Sequence, residues 1–303
     1  MLRSLLLYLS EREAPKNLLL RHSWGRRLAA RFIAGEELED ALGVVRRLNA
    51  EGFLVTLDYL GESVHEAAAA EEACRTYLNI LDRLAADVLH SHVSVKLTQL
   101  GLAIDEALVC RHVRLIAERA ARYRNFVRID MEGSMFTEAT LRVFRTVAAP
   151  RDVLGVVIQS YLYRSEKDVD ELLNDGARIR LVKGAYKEPP DLAFSRKADV
   201  DRSFERLMEK MLSSGLYHAV ATHDDRLIAA AQRFAQARGL GADQYEFQLL
   251  YGIRRRLQRD LLRQGLRVRI YVPFGRQWYA YFMRRLAERP ANLLFLMRNL
   301  FRA

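Results

Sequence analysis

A strand end, a turn and a helix are predicted in one stretch, Tyr271-Val-Pro-Phe-Gly-Arg-Gln-Trp-Tyr-Ala-Tyr-Phe-Met-Arg-Arg-Leu-Ala-Glu288. The Pro and Gly residues separate a β-type run from a helical pattern whose cations gather near its C-terminal end. Arg284 and Arg285 are adjacent, and Glu288 follows Arg284 by four residues, a spacing that places this pair on one helix face. The two guanidinium groups suit bidentate capture of a carboxylate. A solvated ion pair at a helix end also explains the spacing, and from the spacing alone it is the favoured interpretation.

The same strand–helix rhythm continues outward from this stretch through most of the chain. Eight short apolar runs rich in β-branched residues lie at 54–61, 92–101, 126–133, 154–161, 178–186, 219–224, 245–252 and 267–275. Helical patterns lie between them at 66–87, 104–122, 137–148, 166–173, 200–213, 225–238 and 254–263. A closed barrel and an open doubly wound sheet both fit this alternation. The count of eight, and the absence of a G-x-G-x-x-G motif after any run, favour an α/β fold of the (βα)8 barrel type.

In such a barrel, functional side chains lie at the carboxyl ends of the strands. The polar residues at the predicted strand ends are Asp58, Glu62, Lys96, Gln99, Asp130, Glu132, Gln159, Arg180, Lys183, Thr222, His223, Asp224, Gln248, Tyr251 and Tyr271. Lys96, Arg180 and Lys183 are cations, and the last helical pattern adds Arg284 and Arg285. The sequence therefore predicts an enzyme that binds an anionic substrate and a phosphate-bearing cofactor at the barrel mouth.

Lys96 stands in the otherwise apolar run Val-Ser-Val-Lys-Leu-Thr, where a lysine is rarely buried without a partner. Asp130 in the next run is the expected partner, and a carboxylate that faces Lys96 should stay ionised. A structural ion pair, a contact to an anion or flavin, and a Schiff-base lysine all explain Lys96 at this point. Arg180 and Lys183 bring two cations to one strand end, and Gly184 would let the backbone approach a flat ligand.

Composition narrows the class of protein. The 303 residues are 50% apolar, which is enough to bury a sizeable core as one large domain or two smaller ones. Cys74 and Cys110 are far apart, which predicts a reducing compartment such as the cytoplasm and no disulfide framework. The histidines show no metal-ligand spacing, so we predict no metal. His223 in Thr-His-Asp lacks a matched nucleophile, which disfavours a hydrolase.

The net charge of +10 is spread along the helical patterns and mixed with acids, except at Arg254-Arg-Arg256. Nucleic-acid binding requires a clustered patch of positive charge rather than a high total charge, so it remains a minor hypothesis. Contact with an anionic membrane surface is equally allowed. No run is long enough to span a membrane, and residues 1–50 follow a helical pattern that begins with an amphipathic segment.

Six motifs then follow one another in a characteristic order. They are Val-Lys-Leu-Thr-Gln-Leu-Gly, Arg-Ile-Asp-Met-Glu, Arg-Leu-Val-Lys-Gly-Ala-Tyr, Ala-Thr-His-Asp, Phe-Gln-Leu-Leu-Tyr-Gly and Tyr-Val-Pro-Phe-Gly…Arg-Arg-Leu-Ala-Glu. Some are weak individually, but the ordered set is highly specific. It resembles the signature of the proline dehydrogenases over most of the chain, from Leu54 to Arg289, and the length matches the small monofunctional bacterial type.

This resemblance implies a distorted (βα)8 barrel with additional N-terminal helices and with the last barrel helix over the mouth. Residues 1–52 would form the N-terminal helical segment and residues 53–303 the catalytic barrel, as a single domain overall. The resemblance also implies non-covalent FAD and the oxidation of L-proline to Δ1-pyrroline-5-carboxylate by hydride transfer to flavin N5. The electrons would pass to a membrane quinone, from a cytoplasmic protein compatible with peripheral contact at the inner face of the cytoplasmic membrane.

The resemblance also assigns roles to individual residues. Arg284 and Arg285 would bind the substrate carboxylate, with Glu288 orienting them. Tyr271 and Leu250 would pack on the proline ring. Lys96 and Asp130 would contact the substrate and the flavin, and Arg180 would lie beside flavin N5. Gln159 would bond the isoalloxazine edge, and Glu62 would be the gating carboxylate. The ribityl, phosphate and adenine parts would be held by Lys183, Gly184, Ala185, Tyr186, Thr222 and His223.

Two alternatives stay open at this stage. A Schiff-base barrel lyase would use Lys96 or Lys183, but it leaves the Arg284–Arg285 pair and Gln159 without a joint purpose. A basic nucleic-acid-binding scaffold belongs to a different class, and the scattered charge argues against it.

Overall fold

The computed structural model describes residues 29–147 and 149–287, with side chains for residues 29–147 and 149–283. Eight parallel strands close into a barrel in sequence order, which confirms the predicted fold class. The strands are β1 (Leu54–Tyr59), β2 (Ser91–Val95), β3 (Val127–Ile129), β4 (Leu154–Gln159), β5 (Arg178–Val182), β6 (His218–Ala221), β7 (Tyr245–Leu250) and β8 (Val268–Phe274).

A helix follows every strand, and one further helix precedes β1. The described helices are α1 (Leu38–Ala50), α2 (Ala67–Ala86), α3 (Glu106–Arg122), α4 (Ser134–Val147), α5 (Ser165–Asn174), α6 (Lys197–Leu212), α7 (Asp225–Ala237), α8 (Arg255–Arg263) and α9 (Trp278–Ala287). Of the predicted N-terminal helical segment, α1 lies within the described residues. The amphipathic segment before residue 29 lies outside them, and the boundary at residue 53 stays a prediction.

The barrel closes through parallel pairing of β1 with β8, from Leu54 beside Arg269 to Tyr59 beside Phe274. Successive strand residues point to opposite faces, so one alternate set meets the helices and the other set fills the barrel. The outward set is apolar and fully buried, as Val55, Leu57 and Val93 show. Each such side chain stabilises the fold by about 1.5–3 kcal/mol through its removal from water.

The inward set is largely polar, and its side chains bond across the interior. Arg269 on β8 donates to Glu246 on β7 at 2.8 Å, and Thr56 on β1 lies 3.3 Å from Ser94 on β2. Arg180 on β5 reaches Ser94 on the far side of the barrel at 3.0 Å. Buried polar groups are tolerated when they are hydrogen-bonded, and these bonds across the interior meet that requirement.

Gly155 on β4 makes room for this polar interior. A Cβ at this position would lie 2.5 Å from the carbonyl oxygen of Arg178 and 2.7 Å from both the Arg128 guanidinium and the Phe126 ring. The Arg128 side chain donates to the carbonyl oxygens of Val156 and Arg178 as it crosses this space. A glycine is therefore required here by close approach rather than by backbone conformation.

Candidate active site

A cavity of about 840 Å³ opens at the carboxyl end of the barrel. The residues between 29 and 283 to which the resemblance assigns a role all line it, namely Glu62, Lys96, Asp130, Gln159, Arg180, Lys183, Gly184, Ala185, Tyr186, Thr222, His223, Leu250 and Tyr271. These residues come from widely separated parts of the sequence. The barrel thus brings them to one place, as the strand-end rule predicts. Two of the predicted strand-end residues do not line it: Gln99 accepts from Tyr77 at 3.2 Å, and the Tyr251 hydroxyl accepts from Arg47 at 2.9 Å.

Lys96 lies at the floor of the cavity with a partner that differs from the expected one. Its ammonium donates to Asp58 Oδ1 at 2.6 Å, and the two side chains are 9% and 1% exposed. The expected Lys96–Asp130 ion pair is therefore wrong, because Asp130 bonds Arg180 on β5 and Tyr271 on β8 instead. Burial acts to lower the pKa of Lys96, but the carboxylates of Asp58 and Asp130 raise it well above its usual value. Burial also raises the pKa of Asp58, against the opposing effect of Lys96.

Asp130 joins three strands at the centre of the site. It accepts from Arg180 Nη1 at 2.6 Å and from the Tyr271 hydroxyl at 2.7 Å. The Arg180 guanidinium carbon also lies 5.3 Å from the centre of the Tyr271 ring, within cation–π range. Burial, followed by the negative charge of Asp130, raises the pKa of Tyr271 well above its usual value. Three predicted site residues, one directly after β3 and the others on β5 and β8, thus form one bonded unit.

A second charged cluster borders the cavity on the β5–β6 side. Lys183 donates to Asp201 at 2.6 Å and to Asp224 at 2.8 Å. Lys197 on α6 donates to the same two carboxylates, at 3.1 Å for Asp224. The bond from Lys183 is the largest of the effects that lower the pKa of Asp224. Two lysines are therefore held side by side at the cavity wall.

The conformation and packing of Gly184 require a glycine, and its predicted close approach to a flat ligand stays a prediction. Gly184 has a φ of +119°, which side chains rarely adopt, and the Tyr161 ring fills the space in which a Cβ would stand. Tyr161 donates in turn to Glu188 at 3.3 Å, and Glu188 also accepts from the backbone of Ser134 at 2.8 Å. Gly184 therefore packs against a tyrosine that ties the β3, β4 and β5 loops together.

The side chains of Gln159 and Glu132, beside this wall, are both hydrogen-bonded to neighbouring residues. Gln159 Nε2 donates to the carbonyl oxygen of Glu132 at 2.9 Å. The Glu132 carboxylate accepts from the Thr98 backbone at 3.1 Å and from the Thr98 hydroxyl at 2.6 Å. Burial raises the pKa of Glu132. On the opposite side, His223 Nε2 accepts from the Leu250 backbone N–H at 3.0 Å, which fixes the strand end that carries Leu250.

The last described helix contributes to the mouth. Tyr281 on α9 lines the cavity and is 7% exposed. Positions 284 and 285 continue this helix three and four residues after Tyr281. The side chains of Arg284 and Arg285, and the whole of Glu288, lie outside the described residues, so the predicted carboxylate clamp stays a prediction.

Sequence reasoning did not assign Asp58 its role, and it missed Lys197 and Asp201 altogether. Asp58 appears among the strand-end residues, but its pairing with Lys96 depends on the barrel register. Lys197 and Asp201 lie on α6, four residues apart and thus on one helix face. A Lys-x-x-x-Asp pattern after a strand end rich in cations is the signal that would have found them.

The match to a family model decides the relationship of this chain. The model described as "Proline dehydrogenase" matches residues 41–298. The chain belongs to the proline dehydrogenase family. It is 41% identical over 279 residues to proline dehydrogenase 2 of Bacillus subtilis, with 92% of each chain covered. It is also 41% identical over 303 residues to the proline dehydrogenase of Deinococcus radiodurans, with 98% of this chain and 97% of that one covered. The family predicted from the six motifs is thus confirmed.

A solved structure of the family agrees with the fold. The crystal structure of proline utilization A from Bdellovibrio bacteriovorus, inactivated by N-propargylglycine, matches with a TM-score of 0.82 and 26% sequence identity. It covers 87% of this chain, whereas the chain spans 33% of that larger protein. No helix in residues 29–147 and 149–287 has the length and apolar content to cross a bilayer. In the same residues, no group of three or more acidic, histidine or cysteine side chains is arranged to hold a metal ion.

Proposed function

We propose that this member of the proline dehydrogenase family oxidises L-proline to Δ1-pyrroline-5-carboxylate with non-covalent FAD and passes the electrons to a membrane quinone. The observation that carries the proposal is that one cavity is lined by all the predicted substrate and cofactor residues between 29 and 283. Family membership supplies the reaction class. The individual roles below are part of the proposal.

The donor set of the cavity suits FAD. Its volume of about 840 Å³ falls in the usual range for small-molecule sites. Arg180 Nε is buried without a hydrogen-bond partner among the described residues, so it can donate to an incoming acceptor. Lys183 and Lys197 place two ammonium groups at one wall, where a pyrophosphate would meet them. When bound, FAD would accept the two electrons that proline loses.

The cofactor residues divide between two ends of the cavity. Gln159 and Arg180 would meet the isoalloxazine ring, with Arg180 beside N5, where negative charge develops on reduction. The ribityl, phosphate and adenine parts would be held by Lys183, Gly184, Ala185, Tyr186, Thr222 and His223. Asp130 would keep Arg180 in position through its 2.6 Å bond. This arrangement leaves Lys96 and Tyr271 facing the space between the flavin and α9.

The substrate would occupy that space. Its nitrogen must be neutral to form an imine, and the Lys96 ammonium disfavours a second positive charge nearby. Tyr271 and Leu250 would pack on the ring. Arg284 and Arg285 would hold the carboxylate, with Glu288 orienting them, so that the ring is positioned before reaction. Asp130 would border both substrate and flavin, and Glu62 would close the site when substrate is absent.

A Schiff-base lyase is not supported by the site. A lysine that forms an imine must be neutral, which requires a lowered pKa. The pKa of Lys96 is instead raised well above its usual value. The ammonium of Lys183 is engaged by two carboxylates, Asp201 at 2.6 Å and Asp224 at 2.8 Å.

The proposal is tested by an absorbance spectrum. Purified protein should be yellow, and anaerobic addition of proline should bleach the flavin band, with reoxidation by a quinone analogue. A colourless protein that takes up no FAD contradicts the proposal. A flavoprotein that proline does not reduce would keep the cofactor assignment and reject the substrate.

The carboxylate clamp has its own test. Arg284→Met should raise KM for proline about 30-fold or more, because the loss of a charged hydrogen-bond partner in a binding site costs 2 kcal/mol or more. FAD should stay bound. Arg276→Met is the matched control, because Arg276 is 77% exposed and bonded to Glu37. Loss of FAD from the Arg284 variant would show that α9 has a different role.

A further inference from the structure

Residues 61–64 follow β1 at the rim of the cavity and include Glu62, which lines it. These four residues belong to neither a helix nor a strand. Their backbone is bonded to one residue of the loop after β2, because the N–H groups of Ser63 and Val64 donate to the hydroxyl and the carbonyl oxygen of Thr98, both at 3.1 Å. Thr98 is 1% exposed. The position of Glu62 is therefore tied to a buried threonine.

The backbone of Ser63 has a conformation that needs this support. Its φ of 54° is left-handed, which residues other than glycine rarely adopt. Strain of this kind persists only where the surrounding structure holds it, and it clusters at ligand clamps and switch regions. The Ser63 N–H is the group that donates to the Thr98 hydroxyl. This bond therefore acts on the strained backbone directly after Glu62.

The Thr98 hydroxyl is itself oriented by a buried carboxylate. It donates to Glu132 Oε2 at 2.6 Å, and the Thr98 N–H donates to Glu132 Oε1 at 3.1 Å. A hydroxyl has one hydrogen, so donation to Glu132 leaves its lone pairs for the Ser63 N–H. Glu132 is 5% exposed and follows β3. A chain of hydrogen bonds thus runs from the β3 loop through Thr98 to the residue after Glu62.

Stability of the barrel does not explain this use of Glu132. Burial raises the pKa of Glu132, and the negative charge of Glu62 adds to the rise, because both acids line the same cavity. A buried carboxylate is costly to keep charged, and here both of its oxygens bond one threonine. The backbone carbonyl of Glu132 also accepts from Gln159, the proposed flavin contact, at 2.9 Å. Glu132 therefore joins the flavin end of the cavity to residues 61–64.

We propose that Glu132 is a positioning residue that acts through Thr98 on residues 61–64 and so sets where the Glu62 carboxylate stands at the cavity mouth. The inference rests on the proposed function, in which Glu62 closes the site by pairing with Arg284 when substrate is absent. Among the described residues, Thr98 does not line the cavity. A change at Thr98 therefore reaches the substrate only through its neighbours.

Thr98→Val tests the proposal in steady-state proline oxidation with a soluble dye at saturating FAD. It keeps the shape of the side chain and removes the hydroxyl between Glu132 and Ser63. Glu62→Gln removes the competing carboxylate directly. Each variant should lower KM for proline about two- to fivefold, the range expected for one partly exposed ion pair, with kcat within about twofold of the unchanged protein. Because both act through Glu62, the double variant should show the KM of either single variant rather than the product of two effects.

Three further variants separate positioning from general damage to the fold. Thr98→Ser retains the hydroxyl and should match the unchanged protein. Thr137→Val is the matched control, because Thr137 is also 1% exposed but its hydroxyl has no hydrogen-bond partner among the described residues. Glu132→Gln is a second route if Thr98→Val does not fold. Its amide offers one acceptor oxygen to the two donors of Thr98, so it should lower KM in the same way.

Hydrogen exchange gives a measurement that does not depend on the reaction. The Ser63 N–H should exchange about fivefold or more faster in Thr98→Val, because it loses its acceptor, and at an unchanged rate in Thr137→Val. Unchanged exchange at Ser63, an unchanged KM in both Thr98→Val and Glu132→Gln, or effects of Thr98→Val and Glu62→Gln that multiply in the double variant would each overturn the proposal.

Failure of the proposed function gives a different pattern. A rise in KM that Thr98→Val and Glu62→Gln share, without multiplication in the double variant, keeps the positioning role and rejects the closing role of Glu62. Absence of proline-dependent dye reduction in the unchanged protein rejects the proposed function, and the exchange rate at Ser63 then decides the positioning role by itself.

Discussion

Removal of the Lys96 ammonium should leave a carboxylate buried without its partner. Asp58 is 1% exposed, its Oδ1 accepts from Lys96 at 2.6 Å, and its Oδ2 has no hydrogen-bond partner among the described residues. Lys96→Met keeps most of the side-chain volume and removes the charge. Breaking a buried ion pair in this way typically costs about 3–5 kcal/mol of the free energy of unfolding.

The free-energy cost of this substitution has an upper limit. The buried Asp58 carboxylate can become neutral by binding a proton. At pH 7 the protonation of a carboxyl whose unfolded pKa is about 3.9 costs about 4 kcal/mol, and at pH 5 it costs about 1.5 kcal/mol. We therefore expect Lys96→Met to lose about 3–4 kcal/mol at pH 7 and at most about 1.5 kcal/mol at pH 5.

The direction of this pH dependence follows from the pKa of Asp58. Burial raises that pKa, and without Lys96 nothing as close opposes the rise. The folded variant then holds a proton at pH values where the unfolded chain has lost it. Its stability is therefore greatest below the unfolded pKa and falls as pH rises toward the folded pKa. The other titrating groups are the same in the variant and in the unchanged protein. The difference between their free energies of unfolding therefore reports the titration of Asp58.

Urea unfolding followed by far-UV circular dichroism, at fixed FAD concentration, measures these free energies. The double variant Lys96→Met with Asp58→Asn should recover to within about 1 kcal/mol of the unchanged protein. Lys210→Met is the matched control, because Lys210 donates to the half-exposed Asp170 at 2.7 Å. It should cost less than about 1 kcal/mol. A cost for Lys96→Met that is small at pH 7, or equal at pH 5 and pH 7, refutes the reasoning.

Three further outcomes follow from the barrel interior. Asp130→Asn should lower kcat for proline oxidation at least about 10-fold with FAD still bound, because two side chains lose a charged acceptor; unchanged steady-state kinetics would contradict this. Gly155→Ala should cost about 1–3 kcal/mol in urea through overpacking, whereas Gly43→Ala, with open space in α1, should gain about 0.5–1 kcal/mol; equal effects would reject the packing argument. Burial lowers the pKa of His218 to about 3, so stability is lost as pH falls below about 6.5. His218→Asn should remove about 2 kcal/mol of the loss between pH 7 and 5, and an unchanged pH slope would contradict it.

The sequence was sufficient for the order and type of the elements, because each depends on local periodicity. Alternating apolar residues and turn signals predicted all eight strands, and the helices differ from their predicted bounds by a few residues. The strand-end rule also predicted most of the polar residues that line the cavity, because parallel strands in a barrel share one carboxyl end. Gln99 and Tyr251 are the exceptions, since neither lines the cavity. The ordered motifs then predicted the family, which the family match confirms.

Partner choice at the site was not predictable from the sequence. Lys96 was expected to bond Asp130 because their runs are adjacent, yet Asp58 takes that place and Asp130 bonds Arg180 and Tyr271. Which inward side chains meet depends on strand tilt and register across a closed barrel, and these are set by the packing of all eight strands together. The same holds for the lysine pair at the β5–β6 wall, where Lys197 comes from a helix.

The stretch from Tyr271 to Ala287 separates the two kinds of information. By itself the sequence determined that this stretch ends a strand, turns and begins a helix, because local dihedral and hydrophobic preferences act over a few residues. Only the tertiary structure decided that Tyr271 donates to Asp130 and that Tyr281 lines the same cavity. Those contacts join residues more than a hundred positions apart, and only closure of the barrel brings such residues within bonding distance.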